Sequence, residues 1–242
     1  MTEIPRAQDQ LFSDGSSARE KYSALVVGRA GWGALLHYEL VQLTSQNVPG
    51  ALGLALRKTL FPSLLGGCGR NVIFGQNVVL RHPHKIRIGD NVVIDDNCLI
   101  DAKGETNRGI TIGSGVFVGR NSILSCKNGD IEVANGANIG FNCEIFSASR
   151  VTVGKDTLLA AYCYVIGGDH DFGDPAAAVL AQGRRSAGIT IGAGAWLGAG
   201  AKILDGVTVG DRAIVGAGAV VREAVGEGAI AVGIPARVVG QR

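Results

Sequence analysis

A single histidine lies between two aspartates in the segment "YVIGGDHDFGDP", which runs from Tyr164 to Pro175. Imidazole changes its protonation state near neutral pH, so His170 is suited to act as a general base, and a carboxylate of Asp169 or Asp171 can orient it. The alternative is a solvated polar turn, in which aspartate and glycine only supply turn chemistry. The choice between the two interpretations depends on what positions His170.

An aliphatic residue recurs every six positions over most of the chain. The recurring residues are Leu80, Ile88, Ile94, Ile100, Ile112, Val118, Leu124, Val133, Ile139, Ile145, Val153, Leu159, Val165, Ile191, Leu197, Ile203, Val209, Val215 and Val221. A period of six does not fit an amphipathic helix. It is typical of short strands turned at three corners into a triangular parallel β-helix. We therefore predict an all-β fold with these residues stacked in its core.

Irregular spacings occur only after every third hexapeptide, and the longest separates Val165 from Ile191. Each coil is therefore predicted to have three sides, with insertions at one corner. A loop of about residues 166–188 leaves that corner, and His170 lies near its root, close to rigid coils. This position favours the general-base interpretation.

A second column of small or apolar residues lies two positions before the recurring ones, and it contains Cys98, Cys143 and Cys163. We predict that these three thiols fill the core and are inert. The five cysteines form no CxxC pair and show no zinc spacing.

Two further histidines occur in "RHPHK". His82 and His84 lie about four coils from His170, at roughly 4.8 Å per coil, so the three cannot form a zinc site within one subunit. We expect instead an exposed basic corner with Arg81 and Lys85, and substrate contact there is the alternative.

Residues 1–70 lack the hexapeptide period. Apolar residues at helical spacing are Trp32, Leu35, Leu36, Leu40 and Leu43, and a second apolar stretch from Leu52 to Leu64 is interrupted at Pro62. We predict a polar tail followed by two short helices that cap the open end of the β-helix. The alternative is peripheral membrane contact through these helices, with Arg57 and Lys58 near the headgroups.

The net charge of the 242 residues is +2, and no basic stripe occurs, so nucleic acid is not an expected partner. The N-terminal residues lack the pattern of a signal peptide, and no apolar run approaches the roughly 20 residues that span a bilayer. These features predict a cytoplasmic protein.

From about Asn71 to Val239 the chain resembles the hexapeptide-repeat acyltransferases, especially sugar O-acetyltransferases and xenobiotic acetyltransferases. The resemblance rests on the hexapeptides, the loop histidine, "ITIGAGAWLGAGAKILDGVTVGDRAIVGAGAVV" and the closing "AVGIPARVV". It implies a left-handed parallel β-helix over residues 71–240, an exception to the right-handed crossover rule. It also implies a homotrimer that binds acetyl-CoA in grooves between subunits and uses no metal.

The same resemblance implies roles for individual residues. His170 matches the catalytic base, and Asn142 in "GFNCEI" matches a residue that contacts the acceptor beside it; Asp169 and Asp171 are added as acceptor contacts. Trp196 and Gly198 belong to the "WLG" segment, and Ala199 matches the position whose N–H faces the thioester carbonyl. Ala217 matches a pantetheine contact, and Arg237 matches a basic residue near the nucleotide phosphates.

The sequence departs from the family pattern at two places where residues near the nucleotide phosphates of acetyl-CoA are expected. Arg222 and Glu223 stand where sugar acetyltransferases often have a threonine-lysine pair, and Gly240 replaces a second basic residue. Arg222 and Arg242 are the residues predicted to compensate.

We therefore predict an enzyme that transfers acetyl from acetyl-CoA to a hydroxyl of a sugar or polysaccharide precursor. Two alternatives remain open at this stage: an N-acetyltransferase for an amino sugar or nucleotide sugar, and a non-enzymatic hexapeptide scaffold.

Overall fold

The structure, a computed structural model, describes residues 15–242. The predicted polar N-terminal tail lies largely outside the described residues. Three helical segments follow: α1 (Ala18–Tyr22) continued by a π-helical turn (Ser23–Val27), α2 (Trp32–Val41) continued by a second such turn (Gln42–Gln46), and α3 (Gly50–Leu60) followed by a 3-10 turn (Phe61–Ser63). Two helices were expected in this region, and α1 was not anticipated.

The remainder is a three-sided parallel β-solenoid of about eight coils, which confirms the predicted fold class. The first side contains β1 (Gly67–Cys68), β4 (Ile86–Ile88), β7 (Ile110–Ile112), β10 (Asp130–Val133), β13 (Arg150–Val153), β18 (Ile189–Ile191) and β21 (Thr208–Val209). The hexapeptide repeats imply that the coils are left-handed.

The second side contains β2 (Ile73–Phe74), β5 (Val93–Ile94), β8 (Phe117–Val118), β11 (Asn138–Ile139), β14 (Leu158–Leu159), β19 (Trp196–Leu197), β22 (Ile214–Val215) and β24 (Ala229–Gly233), and β25 (Ala236–Gln241) pairs antiparallel with β24. The third side contains β3 (Val79–Arg81), β6 (Leu99–Asp101), β9 (Ile123–Cys126), β12 (Glu144–Ser147), β15 (Tyr164–Gly167), β20 (Lys202–Ile203) and β23 (Val220–Val221). The hairpin strands β16 (Asp169–His170) and β17 (Arg184–Arg185) lie outside the coils.

The core consists of the columns that the period predicts. Every recurring aliphatic residue is at most 5% exposed, and every residue of the second column is at most 3% exposed. Insertions leave only the corner between the third and first sides, because β15 is followed by the β16–β17 hairpin before β18 resumes the coil. Asparagine is frequent at the other corners because it tolerates positive φ; Asn121 and Asn142, at φ 60° and 56°, are stacked and joined by a 3.1 Å amide hydrogen bond.

The helical segments cover the first coil mainly through residues outside the predicted apolar stripe, although Leu35 of that stripe is partly buried and packs against the core. Tyr38 and Val41 are buried, and the Tyr38 hydroxyl donates to the Leu80 carbonyl over 2.9 Å. The side chains of Trp32, Leu36, Leu40 and Leu43 are instead 61–80% exposed. The spacing therefore predicted the helix correctly, but its buried contacts come from Tyr38 and Val41, which lie outside the predicted stripe, together with Leu35.

Arg57 forms a polar link between the helices and the solenoid, and the alternative that places its side chain near lipid headgroups is wrong. The side chain is 1% exposed. Its guanidinium donates to the carbonyls of Ser45, Val48 and Phe74 at 2.8–3.0 Å, and to that of Gln46 at 3.3 Å. In residues 15–242 no helix is long and apolar enough to cross a membrane.

The expectation of an exposed basic corner at His82 and His84 is also wrong. His82 is 4% exposed; its Nε2 lies 2.9 Å from the Ala24 carbonyl and its Nδ1 lies 3.4 Å from Oδ1 of Asp101. Burial lowers the pKa of His84 to about 4. The two histidines are shielded from solvent because the first helical segment packs over this corner.

Four of the five thiols are buried, and Cys68 is half-buried. Burial raises the pKa of Cys98 to about 11 and raises that of Cys126 further, so the reactive thiolate is scarce at neutral pH. We expect a disulfide reagent to titrate at most one thiol in the folded protein and all five after unfolding in guanidinium. Rapid titration of two or more thiols in the folded protein would contradict this arrangement of the core.

Candidate functional site

A cleft of about 360 Å³ lies on the outer face of the third side, beside the hairpin. Its floor is made of outward-facing residues from two adjacent strands. Glu144 of β12 is paired with Tyr164 of β15, and Phe146 is paired with Ile166. The cleft therefore has an apolar middle and a polar end, where burial and the nearby Glu144 raise the pKa of Tyr164.

The β16–β17 hairpin closes the other end of the cleft. Asp169 is paired with Arg185 and His170 with Arg184 in antiparallel register. His170 and Asp169 both line the cleft, together with both arginines and Lys127. The long insertion thus begins with a short strand pair that presents the imidazole against the third side.

Neither neighbouring aspartate is hydrogen-bonded to the imidazole in the described part of the chain. Oδ1 of Asp169 accepts from the backbone N–H of His170 over 2.8 Å, and Asp171 lies 3.8 Å from the Arg185 guanidinium. Nδ1 of His170 is buried and has no hydrogen-bond partner within residues 15–242. Asp169 therefore shapes the backbone at His170, and Asp171 pairs with Arg185.

The sequence reasoning missed Glu144, Tyr164, Lys127, Arg184 and Arg185. Glu144 and Tyr164 each stand directly before a recurring core residue of the third side. Because successive side chains of a strand point to opposite faces, both point outward. That alternation was available as a signal in "CEIFSA" and "CYVIGG". The two arginines carried no such signal, because their pairing with residues 169 and 170 depends on how the loop folds back.

The residues predicted to contact acetyl-CoA lie along another edge, the corner between the second and third sides. The N–H of Tyr162 donates to Phe141, that of Gly200 to Ala161, and that of Gly218 to Ala199, so successive coils stack at this corner. Ala199 and Ala217 are exposed there, beside Trp196, which is 47% exposed. A Cβ on Gly198 would lie 2.5 Å from the Ala217 backbone nitrogen, so Gly198 is needed for coil packing.

The two predicted phosphate-binding arginines come together at the C-terminal end of the solenoid. Nε of Arg222 lies 3.7 Å from Oε1 of Glu223, and Nη1 of Arg237 lies 3.6 Å from the same oxygen. All three side chains are more than half exposed. The sequence separation of these arginines conceals this proximity, which the return strand β25 creates.

Within one chain the two groups of predicted residues are separated. Asn142 lies at the corner with Ala199 and Ala217, whereas His170 lies at the far end of the third side. Glu144, where β12 begins, and Ala148, the residue directly after β12, are about 13 Å apart along an extended chain. Asn142 therefore does not lie beside His170 in the same subunit, and the residues predicted to contact acetyl-CoA do not meet the predicted base.

Residues 188–223 match the sequence profile of the bacterial transferase hexapeptide family (six repeats). A probable acetyltransferase of Mycobacterium tuberculosis is 30% identical over 163 residues, which are 67% of this chain and 54% of that protein. The chain thus spans about half the length of this curated relative. It belongs to the hexapeptide-repeat acyltransferase family.

Two solved structures have the fold described above. AntD, an N-acyltransferase from Bacillus cereus in complex with dTDP and 3-hydroxybutyryl-CoA, superposes with a TM-score of 0.53 at 23% identity, covering 74% of this chain and 84% of that one. The polySia specific acetyltransferase NeuO superposes with a TM-score of 0.50 at 21% identity, covering 73% and 76% of the two chains.

Proposed function

We propose that this protein transfers an acetyl group from acetyl-CoA to a hydroxyl group of a sugar or polysaccharide precursor, with His170 as general base. The observation that carries the proposal is the imidazole at the end of a cleft on a rigid parallel sheet, presented by the longest insertion in the solenoid. The apolar floor of Phe146 and Ile166 suits the C–H face of a sugar ring, while polar groups at both ends suit its hydroxyls.

The proposed step is a direct transfer in a ternary complex. The imidazole takes the proton of the acceptor hydroxyl while the oxygen forms a bond to the acetyl carbonyl carbon. The backbone N–H of Ala199 stabilises the oxyanion that develops. The C–S bond then breaks, and the thiolate of coenzyme A receives the proton from the imidazolium.

The edge between the second and third sides fits an extended pantetheine arm. Ala161, Ala199 and Ala217 present no side chain larger than a methyl group along three stacked corners, so an arm can lie against the backbone. Arg222 and Arg237 lie at the end of the solenoid, where their guanidinium groups can pair with phosphates. In the free protein Glu223 forms ion pairs with both arginines, and phosphate binding requires that these ion pairs break.

The proposed active unit is a homotrimer, because one chain holds the base and the acyl-donor residues on separate edges. The outer face of the second side supplies a surface for assembly. Its stacked outward residues are Ile73, Val93, Phe117, Asn138, Leu158, Trp196, Ile214 and Ile230. Seven of these eight are apolar, whereas the corresponding column of the first side contains Arg87, Glu132 and four threonines.

Replacing Leu158 by glutamate is expected to dissociate the trimer and abolish transfer. Leu158 lies in the middle of the apolar column and is 42% exposed in the single chain, so the variant monomer can fold while the interface acquires a charge without a partner. Light scattering coupled to size-exclusion chromatography measures the mass. Thr208→Glu on the first side is the matched control and should remain trimeric. A wild-type monomer at micromolar concentration would contradict the intersubunit site.

The experiment that tests the function is incubation with acetyl-CoA and a panel of sugars and amino sugars, followed by product mass. An increase of one acetyl group, stable to hydroxylamine only for an amide, separates ester from amide products. The N-acetyltransferase alternative stays open because Glu144 can attract an ammonium group into the cleft. Absence of any acetylated product and of acetyl-CoA binding would favour the scaffold alternative.

A further inference from the structure

The Arg184 side chain lines the cleft next to the predicted base. Directly opposite residues of an antiparallel pair place their Cβ atoms about 5 Å apart on the same face, and His170 and Arg184 are such a pair. Any ligand whose hydroxyl contacts the imidazole therefore has its neighbouring atoms within reach of this guanidinium.

No carboxylate in the described part of the chain forms an ion pair with the Arg184 guanidinium. The side chain is nevertheless half-buried. The other groups at this end are engaged: Arg185 by Asp171 at 3.8 Å and by the Phe172 ring at 5.8 Å, and Asp169 by the backbone of His170. A half-buried guanidinium without a partner favours binding of an anion.

We propose that the acceptor carries an anionic group, a carboxylate or a phosphate, which Arg184 binds while His170 faces the hydroxyl to be acetylated. This assignment rests on the proposed function. The separation of the two side chains matches the separation between a reacting hydroxyl and an anionic group on the same sugar ring or on the neighbouring ring. The anion is assigned to the acceptor because the residues proposed to hold the coenzyme phosphates, Arg222 and Arg237, lie at the end of the solenoid.

The test compares three acceptors of matched stereochemistry: methyl glucoside, methyl glucuronide and glucose 6-phosphate. For the wild-type protein we expect kcat/KM for at least one of the two anionic acceptors to exceed that of the glucoside by 10-fold or more. Arg184→Gln should lower that kcat/KM by about 10- to 100-fold, mainly through KM, because a charge-assisted hydrogen bond pair is lost. Its rates with the glucoside, and its KM for acetyl-CoA, should stay within about threefold of wild type.

Two further variants separate recognition from structure. Arg184→Lys should recover part of the preference, because the charge remains and the bidentate geometry is lost. Arg150→Gln is the matched control; Arg150 pairs with Glu132 at 2.8 Å on the first side, away from the cleft, and its loss should leave all constants unchanged.

Calorimetric titration of the anionic acceptors without acetyl-CoA distinguishes failure of this proposal from failure of the proposed function. Equal use of neutral and anionic acceptors, or a raised KM for acetyl-CoA in Arg184→Gln, would overturn the anionic acceptor while the transferase stands. Binding that requires Arg184, without transfer to any acceptor, would contradict the proposed function and the acceptor assignment with it. Arg184-dependent binding together with preferential transfer supports both.

Discussion

Replacing His170 by alanine is expected to lower kcat by a factor of about 10² to 10⁴, the range typical for loss of a general base. The imidazole lines the cleft beside its apolar floor, and a neutral imidazole can remove the proton of a bound hydroxyl. The KM for acetyl-CoA should change little, because the proposed coenzyme contacts lie on another edge of the solenoid. Release of coenzyme A, followed with a thiol reagent, measures the rate.

His37→Ala provides the matched control for that experiment. His37 lies on the exposed side of α2, where its Nε2 is 2.9 Å from the Ser63 hydroxyl, and it has no place in the cleft. Its loss should leave kcat unchanged. If His170→Ala retained a rate within a few-fold of wild type, the assignment of the base would be wrong.

Replacing Arg57 by methionine is expected to destabilise the helical segment by about 3 kcal/mol or more, since breaking a buried polar network leaves its partners unsatisfied. The guanidinium satisfies the carbonyls of Ser45, Gln46 and Val48, which end the second helical segment, and that of Phe74 in the solenoid. Four carbonyl acceptors, two in buried and two in partly buried hydrogen bonds, therefore lose this donor at once. Arg57→Lys should recover little, because one ammonium cannot reach all four oxygens.

Urea unfolding followed by tryptophan fluorescence measures this effect. In a Trp196→Phe background the remaining tryptophan is Trp32 in α2, so the signal reports on the helical segment. Lys58→Met, at the exposed neighbouring position, is the control and should shift the free energy of unfolding by no more than about 0.5 kcal/mol. An Arg57→Met variant as stable as this control would show that the helices are held by apolar packing alone.

The hexapeptide period alone was enough to predict the solenoid, its three sides and its core. Each coil repeats the same contacts with its neighbours, so a local pattern carries the global fold, and columns such as Leu80, Ile100 and Leu124 follow directly. The corner that accepts insertions, and His170 at the root of the longest one, followed from the same spacing.

Features that depend on contacts between distant segments required the tertiary structure. Arg184 lies opposite His170 because the loop folds back on itself, and Arg237 joins Arg222 because β25 returns along the last coil. The sequence allowed Arg57 to lie near a membrane surface as an alternative and predicted His82 at an exposed basic corner, but the helical segments that pack on the first coil bury both side chains. The hexapeptide period determines the conformation of each coil and its packing on the next coil. Loops and chain ends have no repeated neighbour to pack on, so their positions depend on contacts that form only in the folded chain.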